Sequence, residues 1–250
     1  MKKFLSVLAI VLPFVLTSCS DEPEGPITIS ETSLDLTVGM SDQLTASEKG
    51  TWTSSNEFVA TVNNDGKVEA LHVGETVITI TKGDRSANCK VVVKASNTSY
   101  SLPYMVWGAD ADAVKAANTS LNLYEEMEIE GGVMLSYLTA TALPGYIYMI
   151  DSTEGLIATS MVVDIDDADN FEDFLYQYFA DLNEDEEWFY LIDSNSAEGA
   201  TIAVQYGMND EESLIATFMP IPDFAEVRSL NDIKSLFEGL KFNRTIFKNI

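Results

Sequence analysis

The sequence predicts an all-β sandwich over residues 27–95, followed by an α+β domain over 98–222 built of two helix-plus-β-meander repeats. Three observations predict it. In the first region apolar residues alternate with polar ones, as at Leu34, Leu36 and Val38, at Ile78 and Ile80, and at Val91 and Val93. That is the period of a half-buried strand. In the second region Leu156-Ile157-Ala158-Thr159-Ser160-Met161 recurs as Leu214-Ile215-Ala216-Thr217-Phe218-Met219, five of six identical at an offset of 58. Each copy also follows a stretch whose apolar residues have helical spacing.

Turn signals punctuate the first region: Val38-Gly39, Asn63-Asn64-Asp65-Gly66, Val73-Gly74 and Lys82-Gly83-Asp84. Short strands separated by such turns make a small sandwich. The ordered series Leu34-Asp35-Leu36-Thr37-Val38-Gly39, Trp52-Thr53-Ser54-Ser55-Asn56, Val59-Ala60-Thr61-Val62, Gly66-Lys67-Val68 and Gly74-Glu75-Thr76-Val77-Ile78-Thr79-Ile80 resembles the bacterial immunoglobulin-like domain, group 2. The resemblance implies an immunoglobulin-like sandwich used as a spacer or adhesive module on bacterial surfaces, without an active site. Trp52 fits as the ring buried between its sheets and Asp65-Gly66 as a hairpin turn. His72, the only histidine, reads as surface decoration at a loop or strand end.

In the second region the offset of 58 also maps Tyr148 onto Tyr206, and Ala113, Ala116 and Ala117 onto Phe171, Phe174 and Leu175. The first unit then reads as a helix capped by Asp110 and running to about Asn118, with the three alanines inward. Strands follow at 133–139, 146–150 and 156–163. In the second unit Asp169 and Glu172 form a capping box. Its helix continues through Phe171, Phe174, Leu175, Tyr178 and Phe179, with strands at 188–192, 201–206 and 214–219. The arrangement is similar to the tandem helix–sheet architecture of β-lactamase inhibitory proteins. Residues 223–250 carry five basic residues and read as an amphipathic segment docked on the acidic domain. Asn231 would cap its helix, and Ile233, Leu236, Phe237 and Leu240 would share one face.

The N-terminus reads as an export signal. Lys2 and Lys3 precede a largely apolar stretch of thirteen residues from Phe4 to Leu16. That is too short for a membrane span of about 20 residues but right for a signal peptide core. Leu16-Thr17-Ser18-Cys19 resembles the lipobox of bacterial lipoproteins, which implies a signal peptide over 1–18 and acylation of Cys19. Lipid at roughly 0.8 kcal/mol per buried methylene would hold the protein on the membrane. Residues 19–26 form an acidic, proline-bearing tether, similar to the stretch that follows the lipidated cysteine of surface-exported lipoproteins. The expected location is the outer membrane, lipid-anchored and exposed at the cell surface.

With Cys19 acylated, Cys89 has no partner for an intrachain disulfide, and its strand-like setting makes it a buried hydrophobe. Charge is lopsided. Without Lys2 and Lys3 the chain carries 12 basic residues against 40 acidic ones, and residues 97–222 hold 24 acids and one base, Lys115. Such a domain is repelled by phosphate backbones, which excludes nucleic acid as a partner.

Residues for catalysis are missing. The lone histidine lies in the spacer-like region, so no nucleophile–base pair is available to the second domain. No His/Cys cluster suits zinc, and no glycine-rich loop suits a phosphate. The runs Asp164-Ile165-Asp166-Asp167-Ala168-Asp169 and Asp181-Leu182-Asn183-Glu184-Asp185 lack the glycine and glutamate of a calcium loop. The expectation is a non-enzymatic protein with no metal or cofactor. Aromatic residues are plentiful, and Tyr146, Tyr148, Tyr206 and Trp188 are the candidate binding residues. Exposed on an open sheet face, they would form an acid-rimmed platform for an extracellular protein or glycan. The leading reading is a surface binding or adhesion lipoprotein; the alternative is a periplasmic inhibitor or envelope-assembly lipoprotein.

Overall fold

The computed structural model describes residues 25–139, 145–184, 188–208, 213–222 and 227–239. Cys19, Leu240 and the signal peptide lie outside the described residues.

Seven strands build the first unit: β1 (Ser33–Thr37), β2 (Ser41–Gln43), β3 (Thr51–Ser54), β4 (Ala60–Val62), β5 (Lys67–Ala70), β6 (Gly74–Lys82) and β7 (Arg85–Lys94). They form two sheets, β1-β7-β6-β3 and β2-β5-β4, and β1 runs parallel to β7. The inward residues are those the alternation selects: Leu34, Leu36, Ile78, Ile80, Val91 and Val93, with Trp52 and Cys89 among them. Burial pushes the Cys89 thiol pKa up, as expected of an inert core sulfur. At the β4–β5 turn only glycine fits. Gly66 has φ +85°, and a Cβ there would stand 2.4 Å from the Leu44 carbonyl oxygen and 3.2 Å from the Trp52 ring. His72 is half-buried rather than decorative. Its ring stacks on Phe58 at 3.9 Å, and Nδ1 lies 2.6 Å from the Phe58 carbonyl oxygen.

The second unit is mostly β. In chain order it runs α1 (Ala111–Ala117), β8 (Asn122–Ile129), β9 (Gly132–Leu138), β10 (Gly145–Asp151), β11 (Gly155–Asp164), α2 (Ala168–Tyr176), β12 (Ala180–Glu184), β13 (Phe189–Ile192), β14 (Ile202–Met208), β15 (Ser213–Pro220) and α3 (Leu230–Gly239). All eight strands join one antiparallel sheet in the order β12-β13-β14-β15-β11-β10-β9-β8. Two four-strand runs therefore meet where β11 pairs with β15.

One face of this sheet carries the main core. Leu135, Tyr137, Tyr146, Tyr148, Met161, Val204, Tyr206, Ala216 and Phe218 pack with Val114 of α1 and with Phe171, Phe174 and Leu175 of α2. On the other face α3 lays Ile233 and Phe237 over Tyr190, Ile192 and Ala203, which is the docking expected of the C-terminal segment.

Several expectations need correction. β8 and β12 were not expected, because their sequences read as polar. They are the two sheet edges, where charged side chains are tolerated and block edge-to-edge pairing. On α1 the buried residues are Val114 and Asn118, whereas Ala116 and Ala117 are exposed. The α2 N-cap is Asp167 rather than Asp169, and its carboxylate makes no cap bond, being held by Tyr100 and Asn170 instead. The α3 cap is Ser229 rather than Asn231: its hydroxyl accepts from the Asp232 N–H, and Asp232 reaches back to the Arg228 N–H. That is a reciprocal capping pair.

The two units touch at Gln177, just past α2. Its side-chain oxygen accepts from the N–H groups of Ser96 (2.9 Å) and Asn97 (3.0 Å), and its amide donates to the Asn97 carbonyl (2.6 Å). Its backbone carbonyl accepts from Val73 N–H at 2.8 Å. Replacing this buried side chain by alanine leaves two donors and one acceptor without partners.

Two outcomes follow from these contacts. Gln177→Ala should destabilise the full chain by about 2 kcal/mol in thermal or chemical melts. It should leave a separately expressed 25–95 fragment unaffected, since that fragment lacks residue 177. The second concerns Glu48, whose carboxylate accepts from both Arg85 guanidinium nitrogens (2.5 and 3.0 Å) and from Lys82. These cations hold its pKa at about 2, below the ordinary 4.5. A depressed folded pKa gives stability that is complete above pH about 4.5 and lost as pH falls toward 2. Glu48→Gln should therefore flatten the acid limb of the stability–pH curve in that window and change its slope little above it.

Candidate functional site

The structure separates the four candidate binding residues. Tyr146, Tyr148 and Tyr206 are buried in the main core, at 6%, 0% and 1% exposure. The exposed aromatic platform expected from the sequence is therefore absent at these three positions. The reason is that the central strands are covered on both faces. Ile147 and Met149 are as buried as the tyrosines beside them, so alternation here does not separate core from solvent. Trp188 is half-buried against the cluster that α3 covers. Tyr146 and Tyr206 share one row across the sheet, through Met161 and Ala216. They stand three strands apart, about 14 Å at the usual strand spacing.

Tyr146 and Tyr148 nevertheless meet at a site of another kind. Their hydroxyl ends reach the floor of a cleft of about 440 Å³, walled by residues 99–104 on one side and by Asn118, Ser120, Leu121 and Thr139 on the other. That volume falls in the range of small-molecule sites, roughly 300–1,000 Å³. The wall is an irregular segment fixed at both ends. Gln177 holds residues 96–97, while Gly108 N–H donates to the Leu156 carbonyl and Leu156 N–H to that of Ala109. Gly155 makes the second junction possible, since a Cβ there would lie 2.2 Å from the Gly108 oxygen.

Hydrogen bonds lock the floor in place. Tyr148 O–H donates to the Asn118 side-chain oxygen at 2.9 Å and accepts from Tyr104 N–H at 3.3 Å. The Asn118 amide donates to the Val114 carbonyl at 2.8 Å, so the end of α1 orients it. Tyr146 O–H donates to the Ser101 carbonyl at 3.2 Å. Tyr100 O–H donates to Asp167, which lies behind the wall.

Electrostatically the cleft is neutral. None of its twelve lining residues is charged. Burial pushes Tyr148 up to about 12 and raises Tyr146 as well. Burial and the bond to Asp167 raise Tyr100. The phenols therefore stay protonated across the physiological range. Their hydroxyl protons are already given to Asn118, Ser101 and Asp167, and they offer no nucleophile or base at neutral pH. Among the described residues no three His, Cys, Asp or Glu side chains gather as metal ligands. Within the run 164–169, Asp164 caps the N–H of Asp166, and Asp167 binds Tyr100 and Asn170.

Sequence reasoning found two residues of the floor but missed Tyr100, Tyr104, Asn118, Ser120 and Thr139. Asn118 marked a helix end in the sequence. Nothing local revealed that its side chain turns inward to a strand thirty residues away.

Three comparisons bear on this chain. Residues 22–93 match the bacterial Ig-like domain (group 2), which agrees with the seven-stranded sandwich and with the resemblance read from the motifs. No curated protein is significantly similar in sequence. Among solved structures the chain is similar to domains 5–6 of the S-layer protein SbsC, at 13% identity and a TM-score of 0.25, covering 79% of this chain and 84% of that one. It is also similar to SbsC domains 4–9, at 15% identity and the same TM-score, spanning only 27% of that chain. Likenesses this loose carry no statement about shared function.

The floor generates one test. Tyr148→Phe leaves the buried Asn118 oxygen without its donor and should cost about 1–3 kcal/mol. Combined with Asn118→Leu, the loss should be smaller than the sum of the two single losses, because the pair acts as one unit. Chemical denaturation of the four proteins of the cycle measures this.

Proposed function

We propose that this chain is a lipid-anchored protein of the bacterial cell surface. Its immunoglobulin-like module would serve as spacer, and its C-terminal domain would bind an extracellular protein or glycan. The observation that carries the reading is the order of parts: an export signal ending in a lipobox, a short acidic tether, and a match to the bacterial Ig-like domain at residues 22–93. The eight-stranded domain then stands farthest from the anchor, where a binding domain belongs. Its uncharged cleft supports binding rather than catalysis.

We further read the C-terminal domain as a duplication of one unit, a helix followed by four strands. The sheet order is symmetric about the β11–β15 pair. Paired contacts repeat at the offset of 58: Asn118 bonds Tyr148, and Tyr176 bonds Tyr206 at 3.2 Å. The buried faces of the helices match at 57, Val114 with Phe171, which is a slip of one residue in α1 relative to its strands.

Metabolic acyl labelling of the native host, with protease treatment of intact cells, tests the reading. The natural chain should take up label and be cut from outside, and Cys19→Ala should take up none. Labelling of Cys19→Ala would overturn lipidation at that residue. Full protection of a labelled protein in intact cells would favour a periplasmic inhibitor or assembly role.

A further inference from the structure

Beside the cleft, the two halves of the domain end their helices differently. After α1 the chain reads Asn118-Thr119-Ser120-Leu121 and enters β8; from the last residue of α2 it reads Tyr176-Gln177-Tyr178-Phe179 and enters β12. β8 and β12 begin 58 residues apart, which puts the two stretches in matching places. In the second half aromatic rings fill the space beneath the helix end. Tyr176 bonds Tyr206, the Tyr178 ring stands 5.3 Å from Phe174, and the Phe179 ring 5.7 Å from Phe218. In the first half Asn118, Ser120 and Leu121 hold those places, with the Ser120 side chain exposed. Small polar side chains where the other half has rings leave the opening floored by Tyr146 and Tyr148.

The chemistry of the opening selects the ligand. Tyr104, Leu102 and Pro103 give it an apolar wall, while Ser99, Ser101, Ser120 and Thr139 ring it with hydroxyls. A cation finds no carboxylate inside to pair with. An anion must enter against the field of 24 acids and one base. A neutral ligand with an apolar C–H face and many hydroxyl groups meets neither obstacle, and it matches both walls.

We propose that this cleft binds the end of a neutral glycan, with Tyr104 packing against a sugar ring and the serine and threonine hydroxyls of the rim directing hydrogen bonds to its hydroxyls, above a floor of tyrosines held by their own bonds. The proposal rests on reading the C-terminal domain as the binding part of the chain and as a duplicated unit. Binding depends on the space beside Ser120 and Leu121, whose matching places in the second half are held by Tyr178 and Phe179.

The test uses the whole mature chain with Cys19→Ala for solubility. An array of neutral oligosaccharides (glucose, mannose, galactose and N-acetylglucosamine polymers) is probed beside sulfated and sialylated ones, and hits are measured by calorimetry at 50 and 500 mM salt. The expected result is binding of at least one neutral series, with affinity that changes less than twofold between the two salts. Ser120→Tyr with Leu121→Phe copies the second half into the first and should weaken binding at least tenfold without lowering the melting temperature. Tyr104→Ala should weaken it at least tenfold as well. If the filled variant loses stability, Ser120→Tyr alone is read instead, since that side chain is exposed. Absence of binding to every neutral series at millimolar concentration overturns the proposal, as does binding of charged glycans alone, or neutral binding that survives Ser120→Tyr. The surface reading fails separately, in acyl labelling and protease accessibility. A protein shaved from intact cells that binds no neutral glycan sinks the cleft proposal and leaves the surface reading standing.

Discussion

The C-terminal domain depends on one strand pair, β11 with β15. Every other pair in that sheet joins strands that are neighbours in sequence. Only this pair joins the two four-strand runs, and without it each run has an open apolar edge. At one end of the pairing Thr159 faces Phe218 and Ser160 faces Thr217, whose hydroxyls bond across the pair at 2.9 Å in a buried setting. A slip of one residue would turn Met161, Ala216 and Phe218 from the helix-covered face to the opposite one. Register at the seam thus determines which side chains α1 and α2 meet, and so where Tyr146 and Tyr148 end up beneath the cleft.

The two strands that form the seam are nearly the same hexapeptide and were legible as strands, but nothing in the sequence said that they pair with each other. The sandwich was legible for a related reason: its strands have one buried face, so polarity alternates with the pleat. Legibility failed where those conditions fail. β10 is buried on both faces, so no alternation marked Tyr146 and Tyr148 as core. β8, with Glu125, Glu126 and Glu128, carries edge chemistry that resembles a loop. α1 is only seven residues long and rich in alanine, so its inward face had little contrast to show. The cleft was illegible as a whole, because its walls come from segments that only the closed sheet brings together.

Charge is organised around the same sheet. Among the described residues, acidic side chains sit on the edge strands, on the helices and in turns, and several do local work. Asp151 accepts from Thr153 and Glu154 at the β10–β11 turn, and these bonds lower its pKa. The first unit is different. There bases balance acids in exposed pairs such as Lys90–Glu75 and Lys94–Asp35, each worth little by itself. The consequence is a chain whose far domain repels anions at long range yet keeps one uncharged opening.

The opening and the junction between the two units are built into one hydrogen-bonded chain. Gln177 grips the backbone of Asn97. The Asn97 amide donates to the Asn170 side-chain oxygen at 2.8 Å and to its carbonyl at 2.9 Å, and Asn170 donates to Asp167 at 3.0 Å. Asp167 in turn holds Tyr100, whose ring packs edge-on against Phe171 at 5.4 Å. Tyr100 lies within the segment 99–104 that walls the cleft. A half-buried network of this kind fixes geometry more than it adds stability, since its members compete with water and hold their places only when all are paired. Its path runs from the residues just after the first unit, across the N-terminus of α2, to the wall of the opening. The wall therefore cannot relax inward to fill the cleft without breaking bonds that also hold the two units together, which is how a sheet so heavily packed keeps one place open.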